Sequence, residues 1–207
     1  KVNDGVSDSN VATVNVTVSA VNDAPAANPD TASVDEDNTL TVLKSTLISN
    51  DTDVDDASLT LVSVANPSNG TVFIDGDNVI FNPYENYNGQ ASFDYSVSDG
   101  SLSDTTSVTV TVNPINDAPT VDDDTALTDE DNTVAIYLIG NDIDGDSLSY
   151  SIVDSTANGT LGGPYGNQVL YTPNENFNGS DSFTFKANDG SEDSNIGTIS
   201  ITINPIN

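Results

Sequence analysis

Hydrophobic positions along this chain recur with a period of two. Leu148, Tyr150 and Ile152 alternate with polar residues, as do Phe93, Tyr95 and Val97, then Val108, Val110 and Val112. The same alternation runs through Phe183, Phe185 and Ala187 and through Ile199, Ile201 and Ile203. Successive side chains of a strand point to opposite faces, so these runs predict half-buried strands. Turn signals such as Asp75-Gly76-Asp77-Asn78 separate them, roughly every 8–12 residues. A single helical turn is expected, near residues 43–49. The Asn-Gly pairs, Asn69-Gly70 among them, read as turn chemistry, because both residue types tolerate positive φ.

The pattern repeats. Asp23 recurs as Asp117, Glu36 as Glu130, Asn50 as Asn141 and Asp99 as Asp189. Asn69-Gly70-Thr71 recurs as Asn158-Gly159-Thr160, and Asn88-Gly89 as Asn178-Gly179. The chain therefore divides into complete repeats at 23–116 and 117–207. Residues 1–22 match only the last quarter of a repeat, Asn3-Asp4-Gly5 aligning with Ser98-Asp99-Gly100 and Asn188-Asp189-Gly190. About seven short strands in ~90 residues predict an all-β fold, tandem immunoglobulin-like Greek-key sandwiches with two sheets packed ~10 Å apart. Aromatic residues at matching positions, Tyr87/Phe177, Phe93/Phe183 and Tyr95/Phe185, are assigned to the cores. The repeats join at Asn22-Asp23-Ala24-Pro25 and at Asn113-Pro114-Ile115-Asn116-Asp117-Ala118-Pro119, short acidic connections stiffened by proline. Val14, Val16 and Val18 form an apolar stripe in the incomplete repeat. An unpaired strand is a template for association, so residues 11–19 are expected to pair with a neighbouring molecule or to complete a preceding repeat. Residue 1 is Lys rather than Met and no signal peptide is visible, which points to a fragment of something longer.

Charge narrows the function. Asp and Glu number 33 against three lysines and no arginine, a formal charge of −30. Such a surface repels nucleic acid phosphates and anionic membranes and attracts cations. His, Cys, Met and Trp are absent, which removes Ser-His-Asp and Cys-His catalysis and disulfides, and argues against zinc and copper. No apolar run is long enough to span a membrane. The acids are clustered: Asp35-Glu36-Asp37, Asp51-Thr52-Asp53-Val54-Asp55-Asp56 and Asp99 in one repeat; Asp129-Glu130-Asp131, Asp142-Ile143-Asp144-Gly145-Asp146 and Asp189 in the next. Asp at every second loop position collects oxygens on one side, which suits calcium with its six to eight oxygen ligands. An EF-hand is excluded, because its Gly and Glu positions hold Asp56 or Ser147 and Val62 or Val153. A simple solvated acidic loop would not require a loop, a linker, a Glu and a distal Asp-Gly in both repeats.

These motifs together resemble the bacterial cadherin-like domains strung in tandem in large secreted and biofilm-associated adhesins. The carriers are the two Asn-Asp-Ala-Pro linkers, Glu36 and Glu130, Asn50-Asp51 with Asp53, Asn141-Asp142 with Asp144, and the Asp-Gly turns at Asp99 and Asp189. In cadherins, calcium sits between consecutive domains. The resemblance implies Glu36, Asn116, Asp117, Asp142, Asp144 and Asp189 as ligands at the central junction. It implies Asn22, Asp23, Asp51, Asp53 and Asp99 at the N-terminal one. No counterpart is found for the acidic motif that cadherins contribute from mid-domain, so fewer ions per junction are expected. The implied function is a non-enzymatic, extracellular, calcium-stiffened spacer whose partners are calcium ions and neighbouring repeats. A second reading is a carbohydrate- or protein-binding module; exposed aromatics unique to one repeat would mark it, with Tyr84, Tyr137 and Tyr165 as candidates. Glycoside hydrolysis by paired carboxylates is a third reading, but acids at matching positions in both repeats suit ion ligation better.

Overall fold

The computed structural model describes residues 1–56 and 58–207. Strands account for 51 % of the chain and helix for 3 %, as the alternation predicts. The chain forms two compact units, Lys1–Asn113 and Pro114–Asn207.

In the first unit the elements are β1 (Asp30–Asp35), β2 (Leu40–Leu43), the one-turn helix α1 (Lys44–Leu47) with a 3-10 turn at Ile48–Asn50, β3 (Thr60–Ser68), β4 (Gly70–Asp75), β5 (Asn78–Pro83), β6 (Gly89–Ser98) and β7 (Ser103–Asn113). They form sheets of order β1-β7-β6-β3 and β2-β5-β4. All pairs are antiparallel except β1 with β7. The period-two residues face inward: Phe93 pairs with Val108 and Ala91 with Val110 across β6 and β7, and all four are buried. Phe81 of the second sheet stacks on Phe93, ring centroids 5.7 Å apart.

The second unit repeats this plan with β8 (Thr120–Val121), β9 (Asp124–Asp129), β10 (Val134–Tyr137), β11 (Gly140–Asn141), β12 (Ser149–Ile152), β13 (Gly159–Tyr165), β14 (Gln168–Pro173), β15 (Gly179–Asn188) and β16 (Gly197–Asn204). Its sheets run β9-β16-β15-β12 and β10-β14-β13, with β8 and β11 as a separate pair. Phe183, Phe185, Ile199, Ile201, Ile203 and Tyr171 fill the core.

One sequence expectation needs correction. The Asn-Gly-Thr motif is more than a turn. Asn69 carries the positive φ of 55°, whereas a Cβ on Gly70 would lie 2.5 Å from the Phe81 ring. Gly159 is held the same way, its Cβ position 2.4 Å from the Tyr171 ring. Both glycines are required by close packing over an aromatic ring. Residues 11–19 form no strand, and Val14, Val16 and Val18 are 83 %, 80 % and 88 % exposed. Their turn is nevertheless formed. Asn3 Nδ2 donates to Asp8 and Lys1 pairs with Asp8, just as Asn188 donates to Asp193 and Lys186 pairs with Asp193 in the second unit. By that alignment Val14, Val16 and Val18 stand where Ile199, Ile201 and Ile203 are buried. An extended segment needs a hydrogen-bonded neighbour to count as a strand, and no described segment of this chain supplies one.

Candidate metal centre

In each unit the linker Asn-Asp pair, the Asp-x-Asp loop and the Asp that follows the long inner strand meet at one end. In the second, Asn116 Nδ2 donates to Asp189 Oδ2 at 2.9 Å, and the Asp117 N–H donates to Asp144 Oδ2 at 2.8 Å. The Asp146 N–H donates to Asp142 Oδ1 at 3.1 Å. Asp189 Oδ1 accepts the N–H groups of Ser191 and Glu192. Those two bonds and the one from Asn116, the Glu192 N–H foremost, hold its carboxyl below the usual carboxylate range.

The first unit builds the same arrangement from Asn22, Asp23, Asp53, Asp55 and Asp99. Asn22 Nδ2 donates to Asp99 Oδ2 at 2.8 Å, and the Asp23 N–H donates to Asp55 Oδ2 at 2.8 Å. Asp53 Oδ1 closes the loop by accepting from the N–H groups of Asp55 and Asp56. The Asn22 amide, with the N–H groups of Leu102 and Ser101, depresses the Asp99 carboxyl as well.

This geometry shifts the sequence alignment by two residues. Ala26 bridges to Thr52 in the first unit, and Thr120 pairs with Asn141 in the second. Thr52 therefore corresponds to Asn141, Asp53 to Asp142, and Asp55 to Asp144. Asp51, expected as a ligand, lines the same cavity as Asp53 but turns its carboxylate to other partners. Its carboxylate accepts the Asn28 N–H at 2.7 Å and lies 3.1 Å from the buried hydroxyl of Tyr95. Asp30 Oδ2 stands at the same distance from that hydroxyl, its carboxyl raised by burial and by Asp51 against the lowering effect of Tyr95. The second unit has no such network, because Phe185 and Gly140 replace Tyr95 and Asp51. An acid run with a carboxylate at Asp51, Asp53 and Asp55 allows two registers, and strand pairing matches Asp53 and Asp55, rather than Asp51 and Asp53, to Asp142 and Asp144.

Glu36 and Glu130 sit away from these loops. The Glu130 N–H donates to Asn204 O, its Oε1 accepts the Ile206 N–H at 2.7 Å, and its Oε2 accepts from Asn178 Nδ2 at 3.2 Å. Asn178 precedes β15 and Asp189 follows it. The ten residues of that strand put the Glu130 end and the acid end of one unit roughly 30 Å apart. Glu36 is bonded alike, its N–H donating to Asn113 O and Asn88 Nδ2 lying 3.4 Å from its Oε2. Asn88 and Asn178, read from sequence only as turn residues, thus orient the two glutamates.

Two observations bear on a bound cation. Asp53 Oδ2 and Asp142 Oδ2 are buried and accept no hydrogen bond from any protein group, a costly state for a carboxylate oxygen unless a cation or water faces it. All available donors are oxygens, the set a hard cation takes. Among the described residues, no three acidic side chains stand together as a ready-made metal cage.

Residues 21–113 match the cadherin-like domain family, and residues 116–202 match the bacterial Ig domain family. The chain is a tandem of a cadherin-like and a bacterial Ig domain. Human protocadherin-24 EC1-2 superposes on this tandem with a TM-score of 0.57 at 17 % identity, over 90 % of this chain and 100 % of that one. Drosophila N-cadherin EC1-4 does so at 0.53 and 14 %, over 90 % of this chain and 50 % of that one. These likenesses establish the fold. An endo-fucoidan hydrolase of glycoside hydrolase family 107 also matches, at a TM-score of 0.37 and 22 % identity; 89 % of the tandem aligns, spanning 29 % of that protein's length. No curated protein matches the tandem. No helix among the described residues is long and apolar enough to cross a membrane. Cadherin-like and bacterial Ig domains mark the tandem as an adhesion or structural module.

Proposed function

We propose that the tandem is a non-enzymatic spacer of an extracellular or surface-attached adhesin, stiffened by calcium at the acid end of each unit. The observation that carries this reading is the buried, hydrogen-bond-free Oδ2 of Asp53 and of its counterpart Asp142. The residues that would hold the ion in the second unit are Asp142, Asp144, Asp189 and the Asn116-Asp117 linker. In the first they are Asp53, Asp55, Asp99 and Asn22-Asp23. Four carboxylates giving one oxygen each leave a calcium shell short of six oxygens, so the linker asparagine, backbone carbonyls and water would supply the remainder. Extracellular modules of this kind bind calcium in the 10⁻⁴–10⁻³ M range, which is the affinity expected here. A glutamate lies at the far end of each unit, Glu36 in the first and Glu130 in the second. Calcium chemistry here is charge neutralisation, which removes repulsion among carboxylates and lets the linker settle in one conformation.

Calorimetric titration of chelator-stripped protein tests this. The expected result is saturable calcium binding at sub-millimolar to millimolar concentration, with Asp142→Asn and Asp53→Asn each removing one class of sites. An isotherm unchanged in the Asp53→Asn/Asp142→Asn double variant would overturn the assignment.

A further inference from the structure

The second unit differs from the first on the outer face of its three-stranded sheet. Register places Tyr137 of β10 opposite Gln168 of β14, and Tyr165 of β13 opposite the same Gln168 from the other side. The three side chains form one row across the sheet, Tyr137 56 % and Tyr165 66 % exposed. The tyrosines lie two strand spacings apart, roughly 9–10 Å. Gln168 Nε2 donates to the Tyr137 hydroxyl at 3.0 Å, which fixes that phenol and leaves the Gln168 carbonyl oxygen as an acceptor. The next row holds Ala135, Leu170 and Gly162. Two of these are among the smallest residues, so the surface beside the rings is low. The strand register of β13 shifts between Gly162 and Tyr165, a bulge of the kind that re-aims a side chain.

No residue of these two rows is charged, on a chain of formal charge −30. The corresponding row of the first unit is Leu43, Asn78 and Asp75, with no aromatic ring and one carboxylate. Core packing does not account for the tyrosines, because they stand on the solvent side of strands whose inward residues are Ile136, Val169 and Tyr171.

We propose that this face is a stacking platform for a neutral oligosaccharide. Aromatic rings offer flat apolar faces to the C–H faces of sugar rings, and a fixed amide between them supplies hydrogen bonds to hydroxyls. A spacing of two strands lets one glycan chain lie over both rings. The uncharged patch fits a neutral polymer; the surrounding acids disfavour an anionic one. The platform does not depend on the calcium reading, since it shares no residue with the acid loops.

Affinity electrophoresis of the full chain through gels holding hydroxyethylcellulose, laminarin or galactomannan tests the proposal, with alginate as the anionic comparison. The expected result is retardation by at least one neutral polymer and none by alginate. Tyr165→Ala should weaken it about threefold to tenfold, and Tyr137→Ala/Tyr165→Ala should abolish it, while Tyr84→Ala leaves it unchanged. Should the double variant lose its fold, amide and ring shifts of Tyr137, Gln168 and Tyr165 in the unmodified chain on adding the retarding polymer's oligosaccharide give the same answer. No retardation across the neutral polymers, or retardation that survives the double variant with no shift at these residues, overturns the proposal. So does concentration-dependent self-association that the double variant removes in the absence of any glycan effect, which would assign the face to a second copy.

Discussion

Asp181 offers the sharpest stability test. It is 8 % exposed and accepts four hydrogen bonds: from the Ala157, Asn158 and Ser182 N–H groups at 3.0, 2.9 and 2.9 Å and from the Tyr171 hydroxyl at 2.9 Å. In the first unit Ala91 and Phe81 stand at these two positions. There β3 runs on to Ser68, pairing with Ser92 of β6, so the sheet itself accounts for backbone that Asp181 must satisfy beyond the end of β12. Asp181→Ala strands up to four donors, each worth about 1–3 kcal/mol when buried and part of it recovered by rearrangement, so a loss of about 3–5 kcal/mol is expected. In a unit of this size that lowers its melting temperature by roughly 12–25 °C. Tyr171→Phe should cost about 1.5–3 kcal/mol. The double variant should cost less than the sum, by about 1–2 kcal/mol, because one bond is removed twice. Burial acts to raise the Asp181 carboxyl, but the bonds from Ala157, Tyr171, Asn158 and Ser182 outweigh it and the net shift is downward. A depressed folded value means the contribution is complete above the unfolded Asp value near 3.9 and is lost as pH falls through the folded one. Calorimetric melting of the full chain at pH 7 and pH 3 measures all of this. A loss under about 1 kcal/mol for Asp181→Ala, or strict additivity, would contradict this role for Asp181.

Gly159→Ala and Gly70→Ala should each destabilise their unit by about 1–3 kcal/mol, read by thermal melting; a neutral effect would show that Tyr171 and Phe81 move aside freely. Amides of residues 11–19 should exchange at random-coil rates in dilute protein and become protected as concentration rises; exchange that ignores concentration would remove the self-association expected of the valine stripe. Tyr95→Phe should destabilise the first unit by about 1–3 kcal/mol and leave the second unchanged, since Phe185 already fills that place; equal effects on both melting transitions would contradict the assignment. Asp99 and Asp189 are held below the ordinary carboxyl range by their N–H and amide donors, and ligands must be ionised to bind calcium, so binding should persist at neutral pH and fade only as pH falls into the carboxyl range, about 4; loss of binding between pH 7 and 6 would contradict this.

The strands and cores were legible because both rest on local alternation. Phe93, Tyr95 and Val97, or Ile199, Ile201 and Ile203, can bury one face only as strands. The acid end was legible in outline, because the repeat spacing picked out Asp23, Asp99, Asp117 and Asp189. Its register was not. Which of Asp51, Asp53 and Asp55 faces the linker depends on how the 3-10 turn at Ile48–Asn50 delivers the chain, and on Tyr95 capturing Asp51 from a distant strand. The role of Gly70 and Gly159 was equally hidden, since the ring that forbids a Cβ comes from the neighbouring strand. Tyr137 and Tyr165 are far apart in sequence, and only strand pairing through Gln168 sets them in one row.

The measurement that tests the spacer most directly is small-angle scattering of the two-unit chain with calcium and with chelator. Carboxylates a few ångströms apart repel by on the order of 1 kcal/mol per pair even in water, and occupancy at ten times the dissociation constant returns about 1.4 kcal/mol per ion. The account predicts a distance distribution that sharpens at millimolar calcium and broadens on chelation, with Asp117→Asn moving the change to higher calcium while both units stay folded. Superimposable profiles with and without calcium would contradict it.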